Sequence, residues 1–204
     1  MFSEVKLTIN LSSYSFEEWL DFIFYHPNDS SEWHFEDKWA YKCDSHLLID
    51  YMTKLFMSSD KLLIKEYTPE DIDQGFWFIT GTNGFMWALL DDDVQFEIRK
   101  RCIDSIKYLF SDLFSKYEIG TSGYMWWDSV FSYCTFKNKS IFSELEIFKA
   151  IFQTIKEIFV QNSEVSKKSS EHGIKHILNI AKSLDNKIVK NLILKEIERS
   201  GIKP

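Results

Sequence analysis

Apolar positions along this chain recur at three- and four-residue spacing, the period of one face of an α-helix. Ser15, with Glu18 three residues on, forms a capping box ahead of Phe16, Trp19, Leu20 and Ile23, and Pro27 closes the run. This predicts a helix over about 15–26. Leu47, Leu48, Tyr51, Met52, Leu55 and Phe56 define a second amphipathic helix. Thr68, Pro69, Glu70 and Asp71 supply a cap, a proline at the first helical position and two acids where the helix dipole favours them. That third helix continues through Ile72 and Ile79 until Gly81 and Gly84 interrupt it.

The strongest periodicity lies in Val94–Tyr117, where Ile98, Cys102, Ile103, Ile106, Leu109, Phe110, Leu113, Phe114 and Tyr117 fall within about 160° of arc, a long half-buried helix. Residues 118–123 read as a loop before the aromatic run Tyr124-Met125-Trp126-Trp127. Ser143 and Glu146 suggest another capping box, opening a helix that runs to about Val160. The polar stretch Gln161–Ser170 reads as a linker, and two helices, about 171–184 and 186–200, close the chain, with Asp185 capping the second and Gly201 ending it. Strand-like alternation is confined to Val5–Leu11. The pattern predicts an all-α fold of antiparallel helical hairpins, stacked or in an irregular bundle. One domain spans 1–204, with residues 1–66 and 67–204 as possible sub-units.

Leu89-Leu90-Asp91-Asp92-Asp93-Val94, followed by Ile98-Arg99, Cys102, Ile103 and Ile106, resembles the second helix of a HEAT-type repeat, in which an acid precedes the helix and an apolar–Arg pair lies inside it. A fainter copy, with lysine for arginine, stands at Leu184-Asp185, Val189-Lys190, Leu192 and Ile193. The 91 residues from Ile98 to Val189 make two steps of about 45, inside the roughly 40–47-residue period of HEAT and armadillo arrays. The intermediate copy would fall near Ile141–Ile155. The resemblance implies hairpins that each leave an apolar face for the next to cover. Arg99 falls within the apolar arc, so it is expected either to be buried with a carboxylate, which Asp91, Asp92 or Asp93 could supply, or to reach around the helix end; if the pair is buried, Arg99→Ala would cost about 3–5 kcal/mol.

Composition makes the core aromatic: 18 Phe, 9 Tyr and 7 Trp stand against 7 Gly and 3 Pro, which excludes a disordered or fibrous chain. Cys43, Cys102 and Cys134 are odd in number and lack CxxC spacing, so reduced thiols are expected rather than disulfides or a zinc knuckle. The longest apolar run, Phe85–Leu90, is far below the roughly 18 residues that span a bilayer, and residues 1–10 do not read as a secretory signal. A cytoplasmic protein without a membrane partner is the expectation. Charge is uneven: residues 1–100 hold 19 acids and 8 bases, whereas residues 101–204 hold 12 acids and 16 bases. An acidic first half repels phosphate backbones and attracts a basic protein.

Candidate chemistry is sparse. His172 and His176, four residues apart, have with Glu171 the one metal-like spacing in the chain. Both histidines project about 120–160° from the centre of their helix's apolar face, which suits a polar face better than an ion site. Glu171 with Lys175 reads as an ordinary i,i+4 pair. Trp126, Trp127 and Asp128 after a glycine-containing loop are candidates for an aromatic binding site, although neighbouring tryptophans diverge on a helix and at least one belongs in the core. Cys43-Asp44-Ser45-His46 is too local for nucleophile and base, and Asp44 or Ser45 suits a helix cap. Asp91–Asp93 suit a loop and cap better than a cation site.

These features favour a non-catalytic protein-interaction scaffold, of a bacterial adaptor or immunity type, needing no cofactor and docking another protein through its acidic half. A metal-dependent enzyme centred on His172 and His176 is one alternative. A weak nucleic-acid binder using Lys167, Lys168, Lys175, Lys182, Lys187 and Lys190 is another, disfavoured by the presence of only three arginines in the chain. Geometry separates the first two: an enzyme needs His172, His176 and the paired tryptophans to converge on one concavity.

Overall fold

A computed structural model describes residues 8–27, 29, 33–35, 40–65, 67–183 and 187–202. The fold is all-α. Side chains at the helix starts explain the first three elements. In α1 (Phe16–Phe24) Ser15 Oγ accepts from the Glu18 N–H while Glu18 accepts from the Ser15 N–H, the reciprocal capping box. Asp44 caps α2 (Ser45–Met57) by accepting from the Leu47 N–H at 3.1 Å. Thr68 and Asp71 form the second capping box, at the start of α3 (Pro69–Thr80), where Pro69 occupies a position whose N–H would have no helical partner.

α4 (Phe96–Leu109) continues into a π-helical turn, Phe110–Phe114, closed by the Ser115 N–H donating to Phe110 O at 3.0 Å. That turn keeps Phe110, Leu113 and Phe114 inside. α5 (Ser122–Tyr133) is capped from another element: Asp73 of α3 accepts from the Ser122 N–H at 2.8 Å. Gly120, at φ +93°, makes room for that carboxylate, since a Cβ there would lie 2.5 Å from the Asp73 Cγ. α6 (Leu145–Phe159), α7 (Glu164–Ser183) and α8 (Lys187–Ser200) follow, and Gly201 ends α8 at φ +69°.

Packing alternates along the chain. α1 lies against α3, α3 against α5 and α5 against α7, while α2 lies against α4 and α4 against α6. α6 and α7 join the two rows, and α8 packs on α7. The contacts α1–α3 and α2–α4 both cross residue 66, so the N-terminal helices share the core of the rest. Aromatic rings fill the space between rows: Trp126 of α5 meets Phe56 of α2 at 5.7 Å, Phe76 of α3 at 5.9 Å and Phe114 at 6.1 Å between centroids.

Several expectations need correction. The predicted linker 161–170 is mostly the start of α7, and Ser166, Ser169 and Ser170 are wholly buried. Small hydroxyls suit that position: Ser170 donates to Ile155 O of α6 at 3.3 Å, and Ser166 donates to Gln161, which donates to Lys107 O. Ser143 does not cap α6; the N-cap is Glu144 and Ser143 turns back to bond Ser140. Of the expected strand in Val5–Leu11, β1 is Ile9–Asn10, paired in parallel with β2 (Tyr41–Lys42); residues 5–7 lie outside the described residues. A hairpin of β3 (Thr135–Phe136) and β4 (Lys139–Ser140) turns through Lys137 and Asn138, both at positive φ. Asp185 also lies outside the described residues.

Arg99 is buried and donates to Leu89 O at 3.2 Å. Its carboxylate neighbour is Asp92, at 3.5 Å, but the Asp92 side chain is 60% exposed and also pairs with Lys139, which pairs in turn with Glu144. The arginine therefore joins a chain of charges that leads to solvent instead of a sealed ion pair.

Candidate functional site

The side chains with the most chemical potential meet on the seam between α5 and α7. α5 places Tyr124, Asp128 and Ser132 on one line at four-residue steps, and α7 sets His172 and His176 opposite. The Asp128 Oδ1 stands between the two imidazoles, bonded to His176 Nδ1 and 3.8 Å from His172 Nε2. The outer nitrogens meet hydroxyls of α5. His172 Nδ1 lies 3.2 Å from the Tyr124 OH, and His176 Nε2 lies 3.4 Å from the Ser132 Oγ. All three charged or chargeable groups are about one-quarter exposed: Asp128 at 28%, His172 at 27% and His176 at 24%. The His172 Nε2 itself is covered and has no hydrogen-bond partner.

The two helices are held at close range beside these groups. A Cβ on Gly173 would sit 2.8 Å from the Trp127 Cβ, so glycine next to His172 lets α7 press against the residue next to Asp128. Trp126 and Trp127 are both fully buried, Trp127 stacking on Phe110 at 6.3 Å. Both members of the pair therefore lie in the core, where at least one is expected, and neither ring is offered to a surface binding site. A helix that packs on α3 along one flank and α7 along another has inward positions at both consecutive residues. Asp128 alone of that triplet faces outward, and it is the member that joins the histidines. Tyr124 and Ser132 escape a reading by single residues. Their signal is the four-residue periodicity they share with Asp128, matching that of His172 and His176.

Ser132–His176–Asp128 has the connectivity of nucleophile, base and orienting carboxylate. Among the described residues the backbone around Ser132 does not complete a hydrolytic site. Ser132 lies within α5, where backbone N–H groups bond to the helix and the Cys134 N–H beyond it bonds back to Val130 O. Such a backbone offers no pair of donors to a developing oxyanion. As they stand, no three His, Cys, Asp or Glu side chains among the described residues form a group that could hold a metal ion. Glu171 is exposed, and it makes no ion pair with Lys175 among the described residues.

The remaining candidates disperse. Asp44 caps α2, Ser45 donates to Asp91 at 2.6 Å and His46 donates to Asp93 O at 3.2 Å. Burial pushes the Cys43 thiol up, away from the reactive thiolate. Burial also raises Cys102, to about 12, and Cys134 further still, and no disulfide joins the three thiols. Asp91 accepts from Ser45 and from the Asp93 N–H, Asp92 pairs with Arg99 and Lys139, and the three carboxylates share no cation position. A surface hollow of about 470 Å³ lies elsewhere, lined by Tyr41, Lys42, Cys43, Asn83, Gly84 and Trp87.

No helix among the described residues is long and apolar enough to cross a membrane. Comparison with protein-family models, curated proteins and solved structures finds no match for this chain.

Proposed function

We propose that this protein is a non-catalytic interaction scaffold, an adaptor- or immunity-like protein that docks a basic protein on its acidic N-terminal half. The carrying observation is a set of exposed carboxylates without ion-pair partners among the described residues: Asp50 on α2, Asp60 after it, Glu70 on α3, and Asp93 and Glu97 at the start of α4. Carboxylates left open to solvent speed the encounter with a positively charged surface. Burial of both tryptophans, which keeps them out of the seam where Asp128, His172 and His176 meet, weighs against the enzyme reading. A HEAT-like stack of hairpins is the proposed framework, supported by the packing of every second helix on its neighbour. Unpaired thiols suit a reducing compartment such as the cytoplasm.

The test is a pull-down with the full chain at low ionic strength, repeated as salt is raised and with Asp50, Asp60 and Glu70 all changed to lysine. The reading expects a basic protein held by the native chain, released by salt and not recovered by the charge-reversed variant. Recovery of no specific protein, or of one equally well by both forms, overturns it.

A further inference from the structure

We propose that Asp21, Tyr25 and Tyr67 form an anchor pocket for an arginine side chain of the basic protein that the acidic half docks. The pocket rests on that docking reading and gives its contact a chemistry. Tyr25 ends α1, and its N–H donates to Asp21 O at 2.9 Å, which sets the tyrosine and the aspartate one helical turn apart on one face. The Tyr25 ring is 57% exposed, an aromatic face that folding leaves open to solvent. Tyr67, just before α3, reaches across and donates its hydroxyl hydrogen to Asp21 Oδ1. With Lys65 these three residues line a hollow of about 320 Å³, within the size range of ligand sites.

The hollow already displays how it treats a cation. Lys65 Nζ lies 5.6 Å from the centroid of the Tyr67 ring while it pairs with Glu17, so an aromatic face and a carboxylate share one positive charge. That pairing answers Glu17 and leaves Asp21, which makes no ion pair among the described residues, as the open charge. Burial, and then the bond to Asp21, pushes the Tyr67 phenol up, so it keeps its proton and holds the carboxylate in one orientation. A carboxylate accepts several hydrogen bonds, and the Tyr67 hydroxyl takes only one position on Asp21. The rest suits the fork of a guanidinium, whose plane stacks on a tyrosine while its N–H groups bond a carboxylate; a lysine ammonium lacks both the plane and the fork. Along the chain, Lys65 and Tyr67 stand between Asp60 and Glu70, two of the carboxylates that draw a basic surface in. Those carboxylates steer the encounter, and the tyrosines with Asp21 hold the side chain once it arrives.

The test follows amide NMR signals of the full, isotopically labelled chain during titration with a capped peptide carrying a single arginine. The same peptide with lysine, and with citrulline as the neutral isostere of arginine, are the comparisons. Arginine should give saturable shifts at Asp21, Tyr25, Lys65 and Tyr67, lysine should bind about threefold more weakly or worse, and citrulline should give none. Asp21→Asn should weaken arginine binding about tenfold and Tyr25→Leu about two- to fivefold, whereas Asp50→Asn should leave it unchanged. Equal binding of arginine and lysine, or shifts spread over the acidic half without concentration on these four residues, overturns the pocket. The peptide comparison needs only the native chain, so an unfolded variant does not blunt it. The pull-down then separates the two readings. A basic protein held equally well by the native, Asp21→Asn and Tyr25→Leu chains overturns the pocket and leaves the docking function standing. Arginine bound at the four residues with no protein recovered overturns the docking function and leaves the pocket standing.

Discussion

At the scale of single residues, what matters is where a charge finds its counter-charge. Arg99 would be among the most costly side chains to remove if its carboxylate were sealed in with it, because deletion would strand that carboxylate in the core. Asp92 instead stands largely in water and keeps Lys139 as a partner. Replacing Arg99 by methionine, which retains the packing stem, leaves mainly the Leu89 carbonyl without its donor. The expected loss is about 1–3 kcal/mol, read from the urea midpoint, rather than the larger figure for a sealed pair. The same cluster sets a pH response. The hydrogen bond from Lys139, and then its charge, holds the Asp92 carboxyl below the ordinary carboxylate range. A folded-state pKa below the unfolded value means the group stabilises the fold above the unfolded pKa of about 3.9 and ceases to do so as pH falls through the depressed value. Asp92→Asn should therefore flatten the acid limb of the stability–pH curve below about pH 4 while leaving its alkaline limb in place. An unaltered acid limb would show that the pair contributes nothing.

At the scale of elements, the sequence discloses structure where the signal is local and hides it where a neighbour supplies the reason. The starts of α1 and α3 are legible because Ser15 with Glu18, and Thr68 with Asp71, satisfy helix-end donors from within four residues. The start of α5 is not, since its cap, Asp73, comes from α3. The first turns of α7 are polar in composition, yet Ser166, Ser169 and Ser170 turn a buried face to the protein, where Ser170 reaches the Ile155 carbonyl of α6. The same holds for the seam: the spacing of His172 and His176 is visible in the chain, but the carboxylate between them belongs to a residue read beside two tryptophans. Two predictions follow from this local-versus-tertiary divide. Amides of residues 166–170 should exchange with deuterium as slowly as those of 174–178, whereas a linker would exchange at once. In the β3–β4 hairpin, Asn138 holds φ +65°, a conformation that asparagine and glycine accept and β-branched residues resist. Asn138→Val should cost about 1–2 kcal/mol and Asn138→Gly close to nothing, in the same urea titration.

At the scale of the whole molecule, alternating contacts decide whether this is one cooperative unit or two. A boundary at residue 66 falls between α2 and α3, but each row of helices runs across it. Trp126, deep in the second part, rests on Phe56 from the first, and Trp19 from the first rests on Phe85 from the second at 5.3 Å. Removing residues 1–66 would uncover Phe76, Phe78, Phe85 and Trp126 together. Large side chains each contribute about 1.5–3 kcal/mol when fully buried, so partial exposure of four rivals the net stability of a typical domain. The fragment 67–204 should consequently lack a cooperative melt and bind a hydrophobic dye. In the full chain, tryptophan fluorescence and far-ultraviolet dichroism should report one midpoint, since the tryptophans lie in both parts and the helices in all of it. Two separated midpoints, or a fragment that melts sharply by itself, would mean that the shared aromatic layer is a contact between independent units. Every stability change expected above would then have to be assigned to one unit or the other, instead of to the chain as a whole.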